Sequence, residues 1–404
     1  MTEVLKPENL DQLRDALAWA AAEEARLEVV GRGGKRGWGR PMQASHTLNV
    51  SAIAGVRLYE PDELVLTAAA GTPMSEIEAV LAARQQLLGF EPPEFSPLFG
   101  VPDGVGTLGG AVACNLAGPR RVKSGAARDH FLGFTAVSGR GEEFKSGGRV
   151  VKNVTGYDLS KLIAGSFGTL AVMSEITLKV LPAPKKTRTV LIFGVDAMRA
   201  IAALAEALNS PYEVSGAAHL PEAIARRSAV DYVRAAAATV TAIRVEGTAV
   251  SVAARSESLR KLLAPYGAIE ELHSMNSRRL WLEVRDVVAL LPDPHAAIWR
   301  VSLPASEGPR VAASVTGAEC YFDWGGGLLW LAARAEGDAG AARLRAAIAS
   351  SGGHATLLRG PEPLRAAIDV FEPQRGALDA LTARIKDAFD PRRILNPGRM
   401  YAGV

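Results

Sequence analysis

The spacing of apolar positions along the chain changes several times, and each change marks an element. Leu10, Leu13, Leu17 and Ala20 recur at helical spacing and predict an amphipathic helix over residues 9–26, with a strand over 27–30 behind it. A second apolar strand is expected over 64–70. Thr72 as N-cap and Pro73 at the first helical position then open a helix that runs to residue 83. Residues 131–138, the turn Gly139-Arg-Gly141 and residues 142–145 read as a hairpin, and 170–181 as a further strand.

Pro182-Ala-Pro-Lys-Lys186 breaks this run and reads as a domain boundary. Beyond it strands and helices alternate: strands over 187–193, 240–246, 298–303 and 328–333, helices over 197–208, 250–263 and 341–350. The pattern predicts an antiparallel α+β sheet with helices on one face. A last amphipathic helix over 376–389 leads into Asp390-Pro-Arg-Arg-Ile-Leu-Asn-Pro-Gly-Arg399.

Two glycine-rich loops interrupt the first third. They are Gly31-Arg-Gly-Gly-Lys-Arg-Gly37 and Thr107-Leu-Gly-Gly-Ala-Val-Ala-Cys-Asn-Leu-Ala-Gly118. Glycine admits backbone amides close to an anion and permits positive φ, so the two loops are candidates to clamp one pyrophosphate. Arg32, Lys35 and Arg36 add positive charge to the first. In the second, Thr107 precedes a helical segment, and its hydroxyl with the following amides forms a candidate anion site; close packing through Gly109 and Gly110 is the alternative. Known nucleotide motifs do not fit. Gly37-Trp-Gly-Arg-Pro41 cannot begin the helix that a Rossmann fingerprint requires, and Lys35 is followed by Arg36 where a Walker A loop needs Ser or Thr.

The 404 residues, 48% of them hydrophobic, are enough for two domains and a large core. Lys and Arg number 46 against 43 Asp and Glu and are interspersed with them, so no basic arm or patch points to nucleic acid. Cys114 and Cys320, the only cysteines, cannot alone ligate an iron–sulfur cluster or a Cys-rich zinc site. The six histidines, His46, His130, His219, His273, His295 and His354, form no close ligand pair, so no metal site is expected and no catalytic residue is assigned. The start of the chain lacks a secretory pattern, and its apolar runs are too short to span a bilayer; a cytoplasmic location is expected, with membrane contact peripheral at most.

Taken in order, Gly31–Gly37, Val101-Pro-Asp103, Thr107–Gly118, Lys152-Asn-Val-Thr-Gly-Tyr-Asp158, Gly165–Lys179 and Ile394-Leu-Asn-Pro-Gly398 resemble the FAD-binding fold of the vanillyl-alcohol oxidase superfamily, also called the p-cresol methylhydroxylase (PCMH) type. Glu91-Pro-Pro93, the stretch Gly109 to Gly118-Pro-Arg-Arg121 and Lys152–Leu162 look more narrowly like the E-type FAD-binding subunits of bacterial glycolate oxidases. The resemblance implies a PCMH-type FAD domain over 1–182, an antiparallel-sheet-plus-helices, ferredoxin-like substrate or cap domain over 183–375, and a C-terminal segment, 376–404, that returns to the FAD domain. It implies that Gly31–Gly37 and the segment carrying Pro102, Asp103, Thr107, Gly109, Gly110, Asn115 and Gly118 embrace the FAD diphosphate and ribityl chain. Gly165, Gly168 and Ile176 would lie along the cofactor, and Asn396 would reach back toward it.

Phe167 stands where many relatives carry glutamate, and the first loop lacks the His or Cys used for covalent attachment, so non-covalent FAD is expected. The resemblance further implies a small 2-hydroxy acid as substrate and a complex with a second FAD subunit and an iron–sulfur subunit. A flavin-bearing scaffold or electron relay without its own substrate turnover is the alternative function.

Overall fold

The computed structural model describes residues 3–149 and 156–404, so residues 152–155 of the Lys152–Asp158 motif lie outside the described residues. The chain divides into two compact units. One comprises Met1–Ala117, Ala126–Ala183 and Asp369–Val404; the other comprises Gly118–Gly125 and Pro184–Ile368. Among the described residues, no helix is long and apolar enough to cross a membrane.

In the first unit, β1 (Glu3–Leu5), β2 (Leu27–Val30) and β3 (His46–Asn49) form a parallel sheet in the order β1-β3-β2. The helix Leu10–Ala22 forms where the apolar spacing predicts it, with the Asn9 side chain accepting from the Gln12 N–H at 2.9 Å. Leu13, Leu17 and Ala20, one helical stripe, are fully buried against Leu27, Leu48 and Val50 and against Ile394 and Leu395 of the C-terminal segment. Each such leucine contributes about 1.5–3 kcal/mol of burial. Leu27 donates to Ile394 O at 2.7 Å and accepts from the Asn396 N–H at 3.0 Å, so the C-terminal segment lies beside β2 as part of this core.

The unit also holds a five-stranded antiparallel sheet: β4 (Val56–Glu60), β5 (Val65–Ala69), β6 (Phe131–Ser138), β7 (Glu143–Gly147) and β8 (Ala171–Lys179), in the order β4-β5-β8-β6-β7. One expectation shifts here. Thr72 does not cap the helix Met74–Ala82: Pro73 holds the cap position without a side-chain bond, and the Thr72 hydroxyl instead donates to Ala69 O at 2.6 Å. The Met74 N–H is satisfied by Gly106 O at 2.9 Å, which ties the second glycine loop to the start of that helix.

The second unit is built on an eight-stranded antiparallel sheet: β9 (Lys186–Phe193), β10 (Gly216–Leu220), β11 (Val240–Gly247), β12 (Ala268–His273), β13 (Ala297–Ser302), β14 (Glu319–Asp323), β15 (Leu328–Ala333) and β16 (His354–Arg359). Their order is β12-β9-β11-β10-β14-β15-β13-β16. Helices lie on both faces, not on one as the alternation suggested. Trp281 of the helix Ser274–Arg285 donates to the Thr189 hydroxyl at 2.8 Å on one face, while Gly308 of the helix Gly308–Ala313 lies against Phe322 on the other. The helix Ser274–Arg285 has a polar average composition that hid it from the apolar pattern.

His219 of β10 is buried, with its Nδ1 2.9 Å from the Thr241 hydroxyl. Burial pushes its pKa from 6.5 down to about 4, against a weaker opposing effect of Asp196. Because the folded value is depressed, the unfolded chain binds more protons between those two values; stability is fully present above pH 6.5 and is lost as pH falls through 4. The loss expected from this one group is about 3 kcal/mol. Denaturant titrations across that range should show it, and His219→Gln should remove most of the slope. An unchanged slope in the variant would exclude His219 as its source.

Candidate functional site

The glycine loop between β2 and β3 lies on one side of an open cleft in the first unit. The sequence forces a turn there: Gly33 has φ +83°, and the Arg36 N–H closes onto Gly33 O at 3.1 Å. The turn leaves the N–H groups of Arg32, Gly33, Gly34 and Lys35 with no hydrogen-bond partner among the described residues. Consecutive unsatisfied amides of this kind form a concave donor set for an anion. A Cβ at Gly34 would come within 2.5 Å of the Ser96 hydroxyl oxygen and 2.9 Å of Val105, and one at Gly31 within 2.7 Å of Thr107 Oγ1. Glycine is therefore required for the first loop to pack on the second.

The second loop behaves differently from the anion-site expectation. Its amides are spent within the protein: Leu108 N–H donates to Thr72 O at 3.0 Å, Gly109 N–H to Ala70 O at 2.7 Å, and Gly110 N–H to Thr107 Oγ1 at 3.2 Å. Thr107, Gly109 and Gly110 thus line the cleft, Gly109 and Gly110 as a close-packed wall whose amides are already used. The alternative reading of Gly109 as a packing glycine holds, since a Cβ there would sit 2.9 Å from Ala70 O.

Of the first loop's cations, Arg36 is taken by Glu28, which accepts from its Nε at 2.7 Å and from its terminal nitrogen; that carboxylate raises the Arg36 pKa. Arg32 and Lys35 line the cleft with Arg399, a residue the apolar pattern gave no reason to place there. Arg399 reaches the first loop by donating to Lys35 O at 3.0 Å. Among the described residues, no aspartate, glutamate or histidine lines the cleft. The remaining wall is apolar, formed by Val29, Val30, Val50, Ala171, Val172 and Met173. Cys114 also lines it. Burial raises its thiol pKa, an effect that Lys35 and Arg399 oppose, so the reactive thiolate is disfavoured.

Asn396 secures the far edge. Its Oδ1 accepts from the Val29 N–H at 2.8 Å and its Nδ2 donates to Phe167 O at 2.7 Å, joining the C-terminal segment to β2 and to the loop carrying Gly168. Phe167, at φ +53°, packs between Trp38 and Phe371 with both rings 4.9 Å away.

The cleft therefore gathers Gly31, Arg32, Gly33, Gly34, Lys35, Arg36, Thr107, Gly109, Gly110, Gly168 and Asn396. Other expected residues are not among its lining. Gly37 sits against Phe99, Pro102 and Asp103 are exposed, and Asn115 accepts from the Arg128 N–H at 3.0 Å. Gly165 donates to Val112 O at 3.2 Å, and Ile176 is fully buried in β8. Gly118 falls in the second unit, where its carbonyl accepts from the Trp324 indole. Among the described residues no group of three or more His, Cys, Asp or Glu is placed to hold a metal.

Comparison with known proteins bears on what the cleft holds. Residues 2–147 match the model of an FAD binding domain family. The chain is 34% identical to the glycolate oxidase subunit GlcE of Escherichia coli K12 over 97% of its own length and 96% of that protein. It is 26% identical to the glycolate oxidase subunit GlcD of Bacillus subtilis 168 over 99% and 88% of the two chains. In fold it is similar to the crystal structure of p-cresol methylhydroxylase with substrate bound, at a TM-score of 0.71 and 12% identity, covering 98% of this chain and 88% of that one.

Proposed function

This chain belongs to the family of FAD-binding oxidoreductases that includes the glycolate oxidase subunit GlcE, and from that premise we propose that it holds one FAD non-covalently in the cleft of its first unit and serves in the oxidation of a small 2-hydroxy acid such as glycolate. The observation that carries this reading is the run of four amides from Arg32 to Lys35 that are free among the described residues, flanked by the cations of Lys35 and Arg399, with no acidic side chain among the described lining residues. A diphosphate needs that donor set and that charge. The apolar wall of Val29, Val172 and Met173 suits a flat ring system and keeps water from it.

FAD, when bound, supplies a two-electron acceptor. The chain's own residues bind and orient it: the first loop holds the diphosphate, the Gly109–Gly110 wall sets how closely it approaches, and Asn396 keeps the C-terminal segment against the loop carrying Gly168. Among the described residues the lining offers neither carboxylate nor imidazole, the groups that remove a proton from a hydroxy acid. That favours a subunit of a larger enzyme, working with a second flavoprotein subunit and an iron–sulfur subunit.

An anaerobic glycolate titration followed by flavin absorbance tests this. The purified chain alone should bleach slowly or not at all, and should bleach once the partner subunits are added. Rapid, stoichiometric bleaching of the isolated chain would show a complete catalytic site within it; no bleaching with partners present would remove the hydroxy-acid reading.

A further inference from the structure

One motif has no place in the cleft lining. Glu91-Pro-Pro93 is buried, and it leads through Glu94 and Phe95 into the single turn Ser96–Phe99 of the first unit. Ser96 is fully buried. Its main-chain N–H and its hydroxyl both donate to the same oxygen of the Glu94 carboxylate, the former at 2.9 Å. Ser96 O in turn accepts from the Val101 N–H at 3.1 Å, so the turn is closed on both sides of its first residue.

The hydroxyl held in this way faces the first glycine loop. A serine offers its oxygen three staggered positions, and the bond to Glu94 selects one of them. In that position Oγ occupies the notch that Gly34 leaves by having no side chain, since a Cβ built on Gly34 would fall 2.5 Å from it. The same carboxylate reaches the second loop, where its other oxygen would stand 3.2 Å from a Cβ on Gly106. Phe95, between the two polar residues, places its ring centroid 6.0 Å from that of Trp38, whose N–H donates to Lys35 O at 3.1 Å. Glu94, Phe95 and Ser96 therefore bear on both glycine loops without lining the cleft themselves. The amides of Arg32 to Lys35 have no partner among the described residues to hold them in line, so their direction depends on what is packed behind the loop.

We propose that Glu94 and Ser96 are positioning residues for the cofactor: the carboxylate fixes the serine hydroxyl in the Gly34 notch, and the filled notch keeps the four amides aimed at one anion. The identity of that anion rests on the FAD reading above. A notch filled from one side makes a specific demand on volume. Ser96→Ala empties it and Gly34→Ala crowds it, so the serine oxygen that supports the loop in the wild-type protein becomes an obstacle once residue 34 carries a methyl group. Gly34 does not adopt a positive φ, so alanine is admissible there.

The test is a fluorescence titration of the cofactor-free full chain with FAD, with a thermal melt of each cofactor-free sample. Glu94→Ala and Ser96→Ala should each weaken FAD about tenfold, whereas Glu94→Gln, which keeps an oxygen to accept both Ser96 bonds, should stay within about threefold of wild type. In the Gly34→Ala background Ser96→Ala should cost nothing further, where independent sites would lose about tenfold again. Hydrogen exchange reads the same loop without cofactor: the Arg36 and Trp38 N–H groups, which donate to Gly33 O and Lys35 O at 3.1 Å each, should exchange about tenfold faster in Ser96→Ala and Glu94→Ala and at the wild-type rate in Glu94→Gln. Should Glu94→Ala fail to melt cooperatively, the Ser96 and Gly34 variants carry the test. Wild-type FAD affinity in Ser96→Ala, a full further loss when it is added to Gly34→Ala, or unchanged exchange at Arg36 and Trp38 would each overturn the proposal. A wild-type protein that binds no FAD but whose variants show this exchange pattern would keep the Glu94–Ser96 brace and defeat the FAD reading instead.

Discussion

Replacing Lys386 with Met should destabilise the first unit by about 3–5 kcal/mol and release the C-terminal segment from it. Lys386 is fully buried on the helix Ala377–Phe389, and its ammonium donates to Asp390 Oδ2 at 2.7 Å, Thr169 O at 2.7 Å and Leu395 O at 2.9 Å. Burial lowers its pKa, and the adjacent Asp390 carboxylate works in the opposite direction. Asp390 in turn accepts from the Ile394 and Leu395 N–H groups at 3.1 and 2.8 Å. The pair therefore fixes the main chain one residue before Asn396. Methionine fills similar space without charge and leaves a buried carboxylate without its cation. Chemical denaturation should show the loss. Adding Asp390→Asn should recover part of it, because the uncompensated charge is then gone; a Lys386→Met protein as stable as wild type would exclude the ion pair as a determinant of this segment.

Little of that node was legible in the sequence. A lysine on an amphipathic helix reads as a solvated residue, and nothing local announces that Thr169 and Leu395 supply two carbonyls to it. The helix Leu10–Ala22 and the strand Leu27–Val30, by contrast, followed from apolar spacing, because one stripe of the helix packs on one core. The strand Gly216–Leu220 did not, since its Gly-Ala-Ala-His-Leu composition carries no β-branched signal. The glycine loops were visible as glycine loops, but their division of labour was not. Whether an amide is free or spent depends on Thr72 and Ala70, more than thirty residues before Leu108 and Gly109. Arg36 looked equivalent to Lys35 until the strand placed Glu28 beside it. Gly118 read as a continuation of the second loop, whereas the chain leaves the first unit at that residue.

The largest effect on function is expected from Gly34→Val. Gly34 is buried at the centre of the free-amide turn, and a side chain there must displace Ser96 or Val105 or move the loop. Overpacking of this kind costs about 1–3 kcal/mol, and moving the loop disperses the four aligned donors, so FAD affinity should fall about a hundredfold. Packing loss and binding loss are separable: the cofactor-free variant should melt close to the cofactor-free wild type, while its cofactor content collapses. An apo-variant melting far lower would assign Gly34 to stability.

The central claim, that this chain holds FAD non-covalently on the amides of the first glycine loop, is tested most directly by the absorption spectrum of the purified full chain before and after acid precipitation, alongside Gly34→Val. The account predicts a flavin spectrum in the wild-type protein, about one FAD per chain recovered entirely in the acid supernatant, and almost none from the variant. Flavin retained in the precipitate, or equal FAD content in Gly34→Val, would contradict it.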